Sequence, residues 1–467
     1  MLSHKTRSSL TITVGTIVVT IGTLLLVALA SGYNIDLWRG EIFATGLALL
    51  GTDPAGSTIK INSIDLKQKT PYRLEGVKTG TINIQYSKPD YHSWKASFFV
   101  RAGEVTFANY ALLIPTVIVD NQIQSNLAFT DIRASSTSTK SYAFIDNPGL
   151  IYEIKSNYEL RQVAELPVSD SIKTPIRQTD IQISPDGNAI LSRAIYDDNS
   201  TAYFWVDANS GQLYNLNKLF NQPLVNIKFS PRNSREVYSL EAGKISRVNV
   251  DSKQLVSLPI ANATSFDLNH DNIISLENLT PAESGQVLVR YDLNGANRSV
   301  LYQYLPTTKP WAITSSRVGN DIVIALLNPE NSGLTVFRQL SGKNLSSFIS
   351  PGAAIPSFSP EGRYLSFTQS QKLRTIDLEF TDRYSSSNSD IEQMHWLTKY
   401  QMLLKKPDGL YIIDYNTYNN IKIPPNARAL ADYKVTTAGN SMNVFYLMAG
   451  KINYYNLRPK NSLINFR

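Results

Sequence analysis

A short motif returns through the larger, C-terminal part of the chain, and its spacing leaves few folds open. Ile181–Gly187 reads Ile-Gln-Ile-Ser-Pro-Asp-Gly, Ile227–Pro231 reads Ile-Lys-Phe-Ser-Pro, and Pro356–Gly362 reads Pro-Ser-Phe-Ser-Pro-Glu-Gly. Ser184 and Ser230 stand 46 positions apart, and Ser230 and Ser359 stand 129 apart, or three intervals of 43. Two degenerate copies, Ser265–Leu268 and Ala312–Ser315, fill that gap. Weaker starts at Leu127–Phe129, His395–Leu397 and Tyr433–Val435 bring the series to eight. Inside a unit the layout also recurs, as in Asn188–Ser192, Ala202–Asp207 and Ser210–Tyr214. The turns have a physical basis: Pro presets φ, Asp accepts local backbone hydrogen bonds, and Gly tolerates positive φ. About four short strands per unit, at a period close to 40–45 residues, predict an array of stacked four-stranded sheets.

The N-terminus is read differently. Leu10–Ala30 is almost wholly apolar, and no charged residue stands between Arg7 and Asp36. As a helix this stretch would span roughly 30 Å, the thickness of a bilayer's hydrocarbon core. Lys5 and Arg7 precede it, so the positive-inside bias keeps the first residues in the cytoplasm and places the chain after about Gly32 outside the plasma membrane. Ala28-Leu29-Ala30 resembles a signal-peptidase site, but the apolar run is longer than a signal-peptide core, which favours an uncleaved anchor. Trp38, just beyond the span, is expected at the membrane interface.

Between the anchor and the repeats the pattern alternates with period two, as in Thr58–Ile61, Thr81–Tyr86 and Ala96–Val100. The punctuation is orderly: Pro54-Ala55-Gly56 entering a strand, a Thr70-Pro71 step, Gly80 before a strand, and Ser87-Lys88-Pro89-Asp90-Tyr91 closing it. These residues resemble a PEGA domain, with Pro-Ala-Gly-Ser at Pro54–Ser57 where the family has its name-giving tetrapeptide. The resemblance implies a small β-sandwich that serves as an extracellular spacer or adhesion module and brings no catalytic residues. The Ser-Pro-Asp-Gly turn and the later Asp207-Ala208-Asn209-Ser210-Gly211 turn make the repeats similar to a TolB-like or WD-type β-propeller. That fold hosts enzymes, lectin-like modules and scaffolds alike.

Composition bounds the chemistry. With no cysteine among 467 residues there is no disulfide, thiol nucleophile or thiolate metal site. The net charge of +7 is scattered, Lys405-Lys406 being as dense a run as occurs, which argues against nucleic acid. His4, His92, His270 and His395 fall in separate parts of the chain and lack metal-ligand spacing. Neither Gly-x-Ser-x-Gly nor Gly-x-x-x-x-Gly-Lys occurs. Ser184–Gly187 has its Gly directly after Asp, unlike the box of sialidase-like propellers. The repeats run to about Pro459, which leaves no room for a following hydrolase domain. Asp186, Asp207, Glu361 and Asp377 sit at turns and are expected to cap them. Trp205 and Trp396 are expected to pack between sheets, and the polar stretch Tyr384–Asp390 to form an exposed loop.

The expected fold is therefore all-β with one N-terminal transmembrane helix. In order it comprises a cytoplasmic tail (1–9), a transmembrane helix (10–32), a linker (33–45), a PEGA-like sandwich (46–115), a propeller of eight blades, seven if one weak start fails (116–460), and a C-terminal tail (461–467). The final repeat offers only three clear strands, so Thr116–Val119 is expected to supply the fourth and close the ring. The expected function is binding or scaffolding at the cell envelope, extracellular or periplasmic. The partners would be the lipid bilayer through the helix and an envelope protein or glycan, with no nucleic acid. No residue is singled out as catalytic, cofactor-binding or metal-ligating, and no cofactor is expected. The alternative is a propeller enzyme acting on an envelope polysaccharide or peptide.

Overall fold

The computed structural model describes residues 4–36, 41–135, 138–167, 175–279, 285–305, 311–328, 333–339, 346–350, 352–379, 383–386, 389–423, 435–437 and 443–457. They divide into a unit within residues 1–117 and a unit of residues 118–457. Trp38 and the C-terminal tail lie outside the described residues.

The first unit opens with helix α1 (His4–Ala30). Among the described residues, whose side chains in α1 begin at Thr13, no helix is long and apolar enough to cross a membrane. Eight strands follow: β1 (Tyr33–Asp36), β2 (Glu41–Asp53), β3 (Thr58–Ile61), β4 (Ile64–Lys69), β5 (Tyr72–Lys78), β6 (Gly80–Ser87), β7 (Trp94–Val100) and β8 (Val105–Leu112). In the segment expected as a linker, 33–45, the described residues form a β-ribbon instead. β1 pairs antiparallel with the start of β2, from Tyr33↔Ala44 to Asp36↔Glu41. Backbone pairing captured residues whose side-chain pattern carries no clear alternation.

β2 also pairs with β5 and, in parallel, with β8, while β4, β3, β6 and β7 form a second sheet. Gly46 is required by close approach, since a Cβ there would stand 2.5 Å from the Arg101 carbonyl oxygen. Leu50, Ile59, Ile84, Tyr86, Trp94 and Val100 are almost fully buried in this unit. The Trp94 ring stacks on Tyr86 at 5.2 Å and meets Tyr110 edge-on at 5.6 Å. The Tyr86 hydroxyl donates to the Ala108 carbonyl at 2.6 Å, which satisfies the one polar atom that this aromatic core buries with Tyr86.

The second unit is a series of eight four-stranded sheets among the described residues. Their first strands are Asp131–Ala134, Pro175–Ile183, Lys228–Phe229, Ala263–Asn269, Ala312–Val318, Ala353–Phe358, Gln393–Trp396 and Val435–Thr437, which we number sheets 1 to 8. Seven of the eight expected repeat starts meet or overlap these strands, and Leu127–Phe129 falls just before the first. Sheets 1 to 7 are simple antiparallel meanders.

Each sheet has too little apolar surface to form a core alone, so the core lies in layers between neighbours. Tyr142 and Phe144 of sheet 1 pack on Ile190 and Phe204 of sheet 2, and Leu191 and Trp205 of sheet 2 pack on Val237 and Val248 of sheet 3. Further layers join sheets 3 to 4, 4 to 5, 5 to 6 and 6 to 7. This explains why middle strands such as Asp321–Leu327 are buried on both faces and read, here over Ile322–Leu327, as continuous apolar runs.

The ends meet. Phe445, Leu447 and Ile452 of sheet 8 share a buried layer with Ile132, Ala143 and Ile154 of sheet 1. The fourth strand of sheet 8 is Asn121–Gln122, paired as Asn453↔Gln122 and Tyr454↔Asn121, and the Ile123 N–H donates to the Ile452 carbonyl at 2.9 Å. The array is thus a closed, propeller-like ring. The expected closing segment, Thr116–Val119, is not the one used. The Thr116 N–H donates to the Asp90 carbonyl at 2.9 Å, and Val117 and Val119 are 78% and 63% exposed. β-Branched composition favoured that segment, but only Ile123 has an apolar layer to enter, where it is 5% exposed.

Candidate functional site

The larger of the two cavities described, about 810 Å³, lies against the first strands of sheets 2 to 5. Those strands present the same register at each repeat: Ile181-Gln182, Ile227-Lys228 and Phe266-Asp267. The apolar member of each pair turns into an inter-sheet layer, and the polar member reaches towards the next sheet. Gln182 donates to the Ile227 carbonyl at 2.6 Å. Lys228 Nζ lies 2.7 Å from Asp267 Oδ1 and sits over the Phe266 ring at 5.6 Å. Asp267 Oδ2 accepts from the Ser315 N–H at 2.7 Å and from its hydroxyl at 2.8 Å. Ser265 donates to the Trp311 carbonyl at 2.9 Å. The polar groups around the cleft are therefore largely spent on latching one sheet to the next.

Asp180 at the rim accepts from the Tyr203 hydroxyl at 3.0 Å and from Arg193 at 2.9 Å. Burial, aided by the Asp180 charge, pushes the Tyr203 phenol above its ordinary value. Trp311 on the opposite wall is 7% exposed, and its indole N–H has no hydrogen-bond partner among the described residues. A second cavity, about 610 Å³, opens at the ring's seam. Tyr158 and Tyr454 are stacked there at 3.8 Å beside Gln122, Gln124 and Glu159.

Asp186, Asp207 and Asp377 cap their turns as expected, and Glu361 instead makes an exposed ion pair. Asp186 accepts from the Ser184 hydroxyl at 2.6 Å and the Asn188 N–H at 3.0 Å. Burial pushes its carboxyl up, yet these bonds outweigh burial and leave it below the ordinary value. Asp207 accepts from the N–H groups of Asn209 and Ser210 and pairs with Arg235, with the same downward result against burial. Asp377 pairs with Arg363 at 2.8 Å, whereas Glu361 reaches Lys399 at 3.2 Å with 62% of its side chain exposed.

His92 lies in the loop before β7, His270 in the turn after the first strand of sheet 4 and His395 on the first strand of sheet 7, and among the described residues no three metal-ligating side chains converge. The His395 imidazole keeps some surface but is enclosed closely enough that burial, with the Arg133 charge nearby, pushes its pKa down to about 4. Trp205 is fully buried, donating to the Ser234 carbonyl at 2.9 Å, and Trp396 stacks on Tyr364. Tyr384–Asp390 is not wholly a loop: Arg383–Ser385 is the last strand of sheet 6, and Ser386 is buried. Sequence reasoning missed the Lys228–Asp267 pair. Aligning the repeats by column would have shown opposite charges at one position of adjacent units.

Residues 46–114 match the PEGA domain family. None of the curated proteins compared matches the chain. Similar solved structures include a eukaryotic initiation factor (8% identity, 73% of this chain and 94% of that one, TM-score 0.48). Another is an oligogalacturonate lyase in complex with manganese (11%, 74% and 100%, TM-score 0.44). A third is dipeptidyl peptidase 4 of Porphyromonas gingivalis (11%, 69% and 56%, TM-score 0.47). Identities and scores at this level do not bear on what the chain does.

Proposed function

We propose that this chain is a membrane-anchored protein of the cell envelope whose ring, a TolB-like or WD-type propeller of eight blades, binds or scaffolds and does not catalyse. The observation that carries the reading is the use of charge in the cleft over sheets 2 to 5. Asp267 gives one oxygen to Lys228 and the other to Ser315, so the charged groups of the cleft are engaged in holding neighbouring sheets together. What the cleft offers a ligand is aromatic and aliphatic wall with amide edges, from Phe229, Phe266, Trp311, Gln182 and Asn226. Such a surface suits an envelope protein or glycan.

The anchor rests on α1. Its described side chains from Val14 to Val27 are uncharged and, apart from Thr16, Thr20 and Thr23, apolar; they are mostly exposed, and Lys5 and Arg7 precede them. By the positive-inside bias the PEGA-type unit and the ring lie outside the plasma membrane. The test is a binding assay of the full chain against fractionated envelope glycans and proteins, beside the variant Ala312→Trp, which fills the cleft from an exposed position on its wall. Binding weakened at least tenfold with an unchanged melting temperature is expected. Turnover of an envelope polymer that disappears in Asp267→Asn would overturn the non-catalytic reading.

A further inference from the structure

The end of α1 is fixed to one tip of the PEGA-type unit. The last helical bond runs from the Ser31 N–H to the Val27 carbonyl at 2.9 Å, and Gly32 then takes φ +84°. The Gly32 carbonyl accepts from the Thr45 N–H at 2.6 Å, and the Gly103 N–H donates to the Thr45 carbonyl at 2.9 Å. A Cβ on Gly32 would collide with the Gly103 backbone nitrogen, so helix end and tip touch backbone to backbone. The tip is the turn Arg101–Glu104 between β7 and β8.

The side chains flanking this turn break the usual rule for outward strand positions. Lys95 and Asn109 are polar, as solvent-facing positions should be. Nearer the turn, however, stand Phe99 at 64% exposure, Val105 at 43% and Phe107 at 58%. Phe99 and Phe107 lie two and three residues from the turn, within roughly 10 Å of it at about 3.3 Å per residue. That is the depth over which interfacial side chains settle into headgroups. Two cations keep them company. Lys78 lies over the Phe43 ring at 4.9 Å, and Arg101, its side chain 64% exposed, lies 3.6 Å from the Glu104 carboxylate across the turn, an exposed pair that leaves its guanidinium open to other anions. Aromatic rings with basic residues are what a membrane interface selects.

We propose that this tip, through Phe99, Val105 and Phe107, docks on the phospholipid surface where α1 leaves the bilayer, with Lys78 and Arg101 facing anionic headgroups. The proposal rests on the anchor reading of α1. It adds a second point of attachment, which holds the unit against the membrane instead of leaving it to swing on the helix.

The absence of cysteine makes the test direct, since single cysteines can be placed for fluorophores without removing any. Full-length chains carrying Val19→Cys, Phe99→Cys, Phe107→Cys or Ile64→Cys are labelled and reconstituted in phosphatidylcholine–phosphatidylglycerol vesicles containing doxyl lipid, with the doxyl group deep in the acyl chain to read position 19 and next to the headgroup to read positions 64, 99 and 107. Ile64, 69% exposed on the hairpin joining β3 and β4, is the apolar control. Labels at 19, 99 and 107 should be quenched at least twofold and the label at 64 left unchanged. Quenching at 19 but at neither 99 nor 107 would overturn the docking and spare the anchor. No quenching at 19 would overturn the anchor and the docking with it. Equal quenching at 64 and 99 would overturn a specific tip contact.

Discussion

The four acidic turn residues look alike in the sequence, but their surroundings separate them. Asp207, 5% exposed, satisfies two backbone donors and the Arg235 guanidinium, so removing it leaves those two N–H groups without their acceptor and Arg235 to its pair with Asp251, at 3.2 Å. Asp207→Ala should lower the ring's stability by about 1–3 kcal/mol in urea titrations. Glu361→Ala, which removes an exposed pair with Lys399, should change it by less than about 1 kcal/mol. His395 supplies a pH dependence. Its folded pKa of about 4 lies below the ordinary 6.5, so between these values the unfolded chain binds the proton first. The stabilisation is complete above pH 6.5 and is lost as pH falls towards 4. At most about 3 kcal/mol is involved, given roughly 1.4 kcal/mol per pKa unit. Denaturant titrations at pH 7 and 4.5 should show this loss in the native chain and a smaller one in His395→Gln.

At the level of elements, the repeat fixes the strands but not how the first and last meet. Asn121–Gln122 is too short to be recognised as a strand and lacks the β-branched run that marks Thr116–Val119. It closes the ring because sheet 8 leaves an edge open there and because Ile123 enters the layer shared with sheet 1. Replacing Asn121–Ile123 with Gly-Ser residues should cost about 3 kcal/mol or more, from the lost burial of Ile123 and two exposed edges. Thermal melts should show the whole ring lowered. The same replacement at Val117–Val119 should leave the midpoint nearly unchanged, because Val117 and Val119 are already exposed.

For the whole molecule, the prediction is topological. A tag before Met1 should be protected in intact cells and one after Arg467 accessible outside the plasma membrane, as the placement of Lys5 and Arg7 requires. Protease shaving of spheroplasts reads both; an accessible N-terminal tag would refute the orientation. A mature chain beginning after Ala30 would show that the segment is cleaved.

What the sequence settled by itself was everything that depends on local period. The spacing of the repeats marked where successive sheets begin and left their number at eight or seven, because Pro, Asp and Gly impose their backbone angles wherever they stand. The alternation between Pro54 and Tyr91 marked the module matched at 46–114 for the same reason. Tertiary structure decided what depends on partners distant in the chain. β1 became a strand because β2 offered an edge, and Asn121–Gln122 because sheet 8 did. Lys228 and Asp267, 39 positions apart, became a pair because stacking sheets 3 and 4 brought one repeat column into contact with the next. Propensity acts within a few residues, whereas hydrogen-bond edges and apolar layers are shared between segments far apart. Only the folded ring could assign them.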